Sequence, residues 1–428
     1  MSKLLYLAKN YDLVVGDTFE LFYRGIICSM NPYKYYIHVE SPVGRPFPRY
    51  FTFTPNETQV GDYPLTVTLY DDYHNKIEEA STMLHVIKPV RPSRKLNILC
   101  FGDSLTFNGV WPYEGYRRIT KEDGEPIGLG FKDSLNLVGT MKKDEIGYEG
   151  YGGWQWRHFV LNEAVSTTSS VWVEVEDHHL DENNQHSNWT SLGLNWVLES
   201  IEDKRLKFKR GTGNSSCLPQ IGDMFECIET NEIIHVKKYY FEKGNPFYDV
   251  EIDGPNFKKY CLENKFEDLD LVYILLTWNG QYKPFNVDFS HYEPFIKTIL
   301  ERIHLDFPKA LVRLIGIQSP SINGGIAYNY GASGFYSDVF GEVTTCYNYN
   351  EYLESLCERE EYRSYCKYID LKAQFDVEYN MPQMEVKVNV RNNITEKIGS
   401  NGVHPTMNGY LQIGDVFYRA LVSDLKKF

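Results

Sequence analysis

The stretch "LNILCFGDSLTFNGV" (residues 96–110) sets an apolar run directly before a glycine turn that carries a lone serine, Ser104. A continuous apolar run of this kind reads as a strand buried on both faces. At the carboxyl end of such a strand in an open α/β sheet, a tight turn lifts one side chain into the crevice where ligands bind. Ser104 therefore occupies a position that exposes a nucleophile. The bland alternative is a Gly-Asp-Ser turn in which the serine is the N-cap of a helix.

Outward from this turn the same pattern repeats. "DLVYILLTW" (270–278) and "ALVRLIGIQS" (310–319) are further apolar runs, and amphipathic segments such as "HYEPFIKTILERIHLDF" (291–307) separate them. Apolar runs alternating with amphipathic stretches predict a parallel sheet covered by helices on both faces. The chain closes on a helical pattern, "TMNGYLQIGDVFYRALVSDLKKF" (406–428), with Leu411, Val416, Ala420 and Leu421 on one face. Residues about 167–243 break the alternation with period-2 segments such as "SVWVEVEDHH", which predicts a β-rich insertion. Before the apolar runs, residues 13–88 read as short alternating strands, clearest in "VGDYPLTVTLYD" (60–71), and predict an immunoglobulin-like β-sandwich. "KPVRPSRK" (88–95) concentrates proline and basic residues and reads as an extended linker.

Composition narrows the function. With 428 residues, 42% of them hydrophobic and 24% charged, the chain can bury more than one core. A net charge of -14 without a long Lys/Arg cluster argues against a nucleic-acid partner. No stretch reaches the ~18 apolar residues that span a bilayer, and the start shows no continuous apolar signal region, so no membrane partner is expected. That start is compatible with a cytoplasmic protein, a secreted protein shorn of its leader, or a phage protein released by lysis. The 33 tyrosines and 7 tryptophans suit stacking on sugar rings as well as core packing. Eight cysteines lack any C-x2-C pair, so no zinc site or disulfide framework is signalled; Cys217 with Cys227, or Cys357 with Cys366, are the pairs an oxidising space would join.

A serine hydroxyl becomes a nucleophile only when a base takes its proton. "SNGVHPTMNGYLQIGDVFY" (400–418) supplies His404, in a loop immediately before the last helical pattern. Together, G-D-S-L at 102–105 and G-V-H-P at 402–405 resemble the GDSL, or SGNH, hydrolase family of serine esterases. "YEGYGGWQW" (148–156) resembles the family block that carries a glycine, here Gly153, and "VYILLTWNG" (272–280) the block that carries an asparagine, here Asn279. "GNPFYD" (244–249) and "YNMP" (379–382) also resemble carbohydrate-active members. The four main blocks stand in family order over residues 96–428.

The resemblance implies an α/β fold class: a three-layer α/β/α, flavodoxin-like hydrolase domain over 96–428 with the β-rich insertion, after a sandwich over 1–90 and a linker over 91–95. It implies Ser104 as nucleophile and His404 as general base. It also implies an oxyanion hole made by the backbone N–H groups of Ser104 and Gly153 and the side-chain amide of Asn279. Such donors lower the barrier of acyl transfer by about 3–4 kcal/mol each. Two positions depart from the family. Asn401 stands where an aspartate three residues before the histidine is usual, so His404 is held by Asn401, by a backbone carbonyl in a Ser-His dyad, or by a distant acid such as Asp376. "TWNG" replaces G-x-N-D, which makes Trp278 a pocket wall, and Trp154 is a second candidate for stacking on a sugar.

His178, His179, Asp181 and His186 form a His-rich loop that reads as solvated rather than metal-binding, and neither metal nor organic cofactor is expected. Asp376, Asn389 and Arg391 are further polar candidates for substrate contact. The expected activity is hydrolysis of an ester, most simply an O-acetyl group on a carbohydrate. The alternative is a weakly active or inactive relative that binds glycan or serves as a phage structural protein.

Overall fold

The computed structural model describes residues 3–162, 171–175, 188–191, 194–202, 204–210, 222–241, 244–276, 279, 284–321 and 339–428. The chain divides into two compact units. One comprises Met1–Gln155, Phe266–Glu293 and Phe307–Phe428; the other comprises Trp156–Lys265 and Pro294–Asp306.

The first unit is organised by the strand Leu96–Gly102, all seven residues of which are buried. On one side it pairs in parallel with Leu271–Leu275, which pairs with Leu311–Ile315, which pairs with Cys366–Ile369. On its other side it carries Leu135–Val138 beside its first half and Ile146–Gly150 beside its last two residues, both parallel. Met141–Lys143 adds an antiparallel edge. The apolar runs of the sequence thus become neighbouring strands, because residues without polar side chains tolerate burial on both faces of a sheet.

The helix Met407–Leu425 packs across this sheet with Val416, Ala420 and Leu421 buried and Leu411 partly so. It lies against the helix Val110–Thr120 through an edge-on contact of Trp111 with Phe417 at 5.0 Å. Gly115 and Gly414 face side chains across this junction, so a methyl group at either would strike the opposing helix.

In the same unit, residues 10–87 form a four-stranded sheet in the order Asn10–Val14, Lys76–Ile87, Gly61–Tyr70, Tyr36–Glu40, and a three-stranded sheet of Phe19–Phe22, Tyr50–Phe53 and Arg45–Pro46. Residues 88–95 form no regular element. Asp17 ties this region to the helices: its carboxylate accepts from Arg118 at 2.7 Å and Arg419 at 2.6 Å, all three side chains being buried.

The second unit holds a seven-stranded antiparallel sheet drawn from residues 171–241, packed on a core that includes Val171, Trp189, Trp196, Phe208 and Phe225.

A three-layer α/β/α, flavodoxin-like arrangement is not what forms. The described residues make 25 strands in six sheets against seven α-helices, two of which, Tyr23–Ile26 and Ser104–Phe107, are single turns. The physical reason lies in the segments between the apolar runs. Strands at 141–150 and 383–399 add sheet where covering helices were expected, and the expected β-rich insertion forms a seven-stranded sheet of its own over 171–241, so that sheet outweighs helix. No described helix is long and apolar enough to cross a membrane. The seven cysteines among the described residues are buried and none is joined in a disulfide; Cys357 Sγ and Cys366 Sγ lie 3.4 Å apart, and Cys217 lies outside the described residues.

Candidate active site

The strand Leu96–Gly102 ends where Gly102 comes so close to the Leu275 carbonyl that a Cβ would collide with it. The chain then turns into the single helical turn Ser104–Phe107. Its N-cap is Asp103, not Ser104: Asp103 Oδ1 accepts from Leu105 N–H at 3.0 Å. Because aspartate takes the capping duty, the Ser104 hydroxyl is left free for another partner. That partner is His404, whose Nε2 lies 2.8 Å from Ser104 Oγ.

His404 is half-buried, in a loop held from four directions. Asn401 Oδ1 accepts from the backbone N–H groups of Val403 at 3.0 Å and His404 at 2.9 Å. Gln318 Nε2 donates to the Val403 carbonyl at 2.8 Å, and Ser321 N–H to the Gly402 carbonyl at 3.1 Å. Beyond the histidine, Thr406 caps the helix Met407–Leu425, and both its N–H (2.9 Å) and its hydroxyl (3.0 Å) donate to the Asn380 carbonyl. Asn401 thus shapes the backbone of the loop rather than bonding the imidazole. Among the described residues no acceptor is bonded to His404 Nδ1, and Asp376 is engaged elsewhere, by Arg49 at 2.6 Å. Burial lowers the His404 pKa below its ordinary value of 6.5. At neutral pH the ring is therefore uncharged and able to accept a proton.

The strand Ile146–Gly150 leads into a turn fastened to the strand that precedes Ser104, since Tyr151 N–H donates to the Gly102 carbonyl at 3.0 Å. Gly153 sits in that turn with φ +83°, a left-handed conformation suited to glycine, and a Cβ there would meet only open space. Trp154 is only 2% exposed and packs on Tyr151 with ring centroids 4.5 Å apart, so its indole is part of the core rather than a surface for stacking. Asn279 Nδ2 donates to the Trp154 carbonyl at 3.0 Å and to Asp103 Oδ2 at 3.2 Å, which joins the serine turn, the glycine turn and Asn279 in one network. Tyr292 OH donates to the Asn279 carbonyl at 3.3 Å and steadies it from behind.

Ser104, Gly153, Asn279 and the Asn401–His404 loop are therefore gathered from four separate segments. Trp278 lies outside the described residues, as do His178, His179, Asp181 and His186. Among the described residues no group of three metal-capable side chains occurs. Asn389 and Arg391 belong to the exposed hairpin Gln383–Asn389 and Asn392–Gly399. Sequence reasoning missed Asp103 as cap and clamp of Asn279, and Gln318 as a prop of the histidine loop. The G-D-S spelling held the first signal, because aspartate is a strong N-cap; nothing near Gln318 in sequence points to a loop 85 residues away.

No family model and no curated protein matches this chain. Among solved structures it is similar to a peptidoglycan O-acetylesterase at 11% identity, covering 78% of this chain and 93% of that one, with a TM-score of 0.30. It is also similar to the fibronectin(III)-like modules of Clostridium thermocellum CbhA, at 16% identity over 21% of this chain and 98% of that one, with a TM-score of 0.15. These scores are too low for either likeness to define a shared fold, so the functional reading stands on the geometry of the site.

Proposed function

We propose that this protein is a serine esterase of the GDSL/SGNH type that removes O-acetyl groups from a carbohydrate. The observation that carries the reading is the 2.8 Å pairing of Ser104 Oγ with an uncharged, half-buried His404. As Ser104 Oγ attacks the ester carbonyl carbon, its proton passes to His404 Nε2 and the carbonyl π electrons move onto oxygen. That oxyanion is met by the backbone N–H groups of Ser104 and Gly153 and by Asn279 Nδ2, which gives up its longer bond, to Asp103, in order to donate. Collapse of the intermediate breaks the ester C–O bond, and His404 returns the proton to the departing sugar oxygen. Water, deprotonated by the same nitrogen, then releases acetate and restores Ser104.

In this reading the sandwich over 1–90 and the linker over 91–95 precede a catalytic portion over 96–428, with the insertion at about 167–243. Two sheets built wholly from residues 10–87, followed by an irregular 88–95, support that division.

The second reading, a weakly active or inactive glycan-binding or phage structural protein, is favoured by one observation: no carboxylate stands behind His404 among the described residues. One experiment separates the two. Purified protein and Ser104→Ala are compared in hydrolysis of an aryl acetate, with fluorophosphonate labelling mapped by mass spectrometry. Turnover and labelling at Ser104, both lost in the variant, support the esterase; a wild type as inert as the variant removes it.

A further inference from the structure

A second constellation lies on the surface of the first unit, built around Glu378. Its Oε1 accepts from Arg24 Nε at 3.0 Å, and its Oε2 from Tyr33 OH at 2.9 Å and Arg49 Nε at 2.6 Å. Arg49 Nη2 also donates to Asp376 at 2.6 Å. Two tyrosine rings flank this hub, and each has a guanidinium on one face: Arg49 lies 4.4 Å from the Tyr379 centroid and Arg24 5.4 Å from that of Tyr33. Both rings remain open to solvent, Tyr379 at 67% and Tyr33 at 37% exposure. Guanidiniums braced by carboxylates give each ring a partner on one face, which lowers the side-chain entropy lost when something stacks on the open face.

We propose that Tyr379 and Tyr33, with Arg24, Arg49, Asp376 and Glu378, form a binding subsite for a neutral oligosaccharide. A sugar ring offers an apolar C–H face to an aromatic ring and hydroxyls at its rim to planar donors and acceptors. The planar donors are present: Arg49 Nη1 and Arg24 Nη2 have no partner among the described residues, while the remaining guanidinium nitrogens are bonded as above or, for Arg24 Nη1, to the Met30 carbonyl. Charge selects a neutral ligand. Two arginines are balanced by two carboxylates within the constellation, and the chain as a whole carries -14.

The subsite adjoins the segment that anchors the catalytic histidine. Tyr379 is followed by Asn380, whose carbonyl holds Thr406, two residues after His404. A saccharide stacked here therefore lies against the segment that fastens the histidine loop. The inference rests on the esterase reading only in naming that saccharide as substrate; the binding itself needs no turnover.

The test uses full-length Ser104→Ala protein titrated calorimetrically with cellohexaose, xylohexaose and chitohexaose. At least one is expected to bind, and adding Tyr379→Ala is expected to weaken it about three- to tenfold, the worth of one ring contact, while Tyr379→Trp retains it. Thermal melts verify that the exposed substitution leaves the fold intact. Failure of all three sugars to bind, or binding indifferent to Tyr379→Ala, overturns the subsite. Aryl-acetate hydrolysis by wild type is read separately: an active enzyme that binds none of the sugars loses only the subsite, and an inert protein that binds one through Tyr379 loses only the esterase.

Discussion

His404 Nε2 stands 2.8 Å from Ser104 Oγ, although 300 residues of chain separate them. The distance is set by two anchored turns rather than by the pair itself: Asp103 caps the serine turn, while Asn401, Gln318 and Asn380 fasten the histidine loop. Replacing His404 with alanine removes the proton acceptor and leaves the rest of both turns in place. Aryl-acetate kcat/KM is expected to fall by about 10²- to 10⁴-fold, the worth of a general base, with an unchanged thermal melting curve.

The acid limb of the pH–rate profile follows from burial of the imidazole. Catalysis requires the neutral ring, and burial holds the His404 pKa below 6.5. Activity is therefore expected to be flat through neutrality and to fall only as pH drops through a midpoint below 6.5. A midpoint above 6.5, measured as kcat/KM against pH, contradicts a histidine that burial alone perturbs, with no carboxylate beside it.

Asn401 offers a test of what the loop lacks. Asn401→Asp keeps an oxygen for the Val403 and His404 N–H groups and adds a negative charge near the imidazole. That charge favours imidazolium, so the acid limb is expected to move to higher pH. Asn401→Ala loses the cap without adding charge, and its profile is expected to lose height without the upward shift.

Asn279 is the side-chain donor of the proposed oxyanion hole. Its replacement by alanine is expected to lower kcat about 10²- to 10³-fold with little change in KM, because the bond forms in the transition state. Asp103→Ala removes the cap of the serine turn and the partner of Asn279 together. It is expected to cost about 0.5–2 kcal/mol in stability as a lost cap, read by chemical denaturation.

The buried ion triad gives a prediction about folding. Burial alone would raise the Asp17 carboxyl, yet Arg419 and Arg118 hold it below its ordinary value of 3.8. Its stabilisation is thus present above 3.8 and is lost as pH falls through the lower folded value. Asp17→Ala leaves buried Arg419 without an ion pair among the described residues and Arg118 with Asp415 alone, and is expected to cost about 3–5 kcal/mol, seen as a fall in denaturation midpoint at neutral pH.

The sequence by itself determined the strands of the central sheet, since the largely apolar runs at 96–101, 271–276 and 310–317, interrupted only by Asn97 and Arg313, have no stable home except between two covered faces. It also determined the serine turn and the histidine before the last helix, because both are written as local punctuation: a glycine turn, and a loop directly ahead of an amphipathic run. The balance of sheet over helix was harder to see, because weak periodicity in the connecting segments is resolved by what they pack against. Tertiary structure alone decided the roles of Asn401, Trp154 and Gln318. An asparagine three residues before a histidine has two places to send its oxygen, the imidazole or the backbone, and the backbone amides of its own loop took it. A tryptophan beside a glycine turn looks the same in sequence whether it faces solvent or the core. The Arg24–Glu378–Arg49 hub joins residues about 330 to 354 positions apart, a pairing that only the folded backbone can bring within hydrogen-bond range.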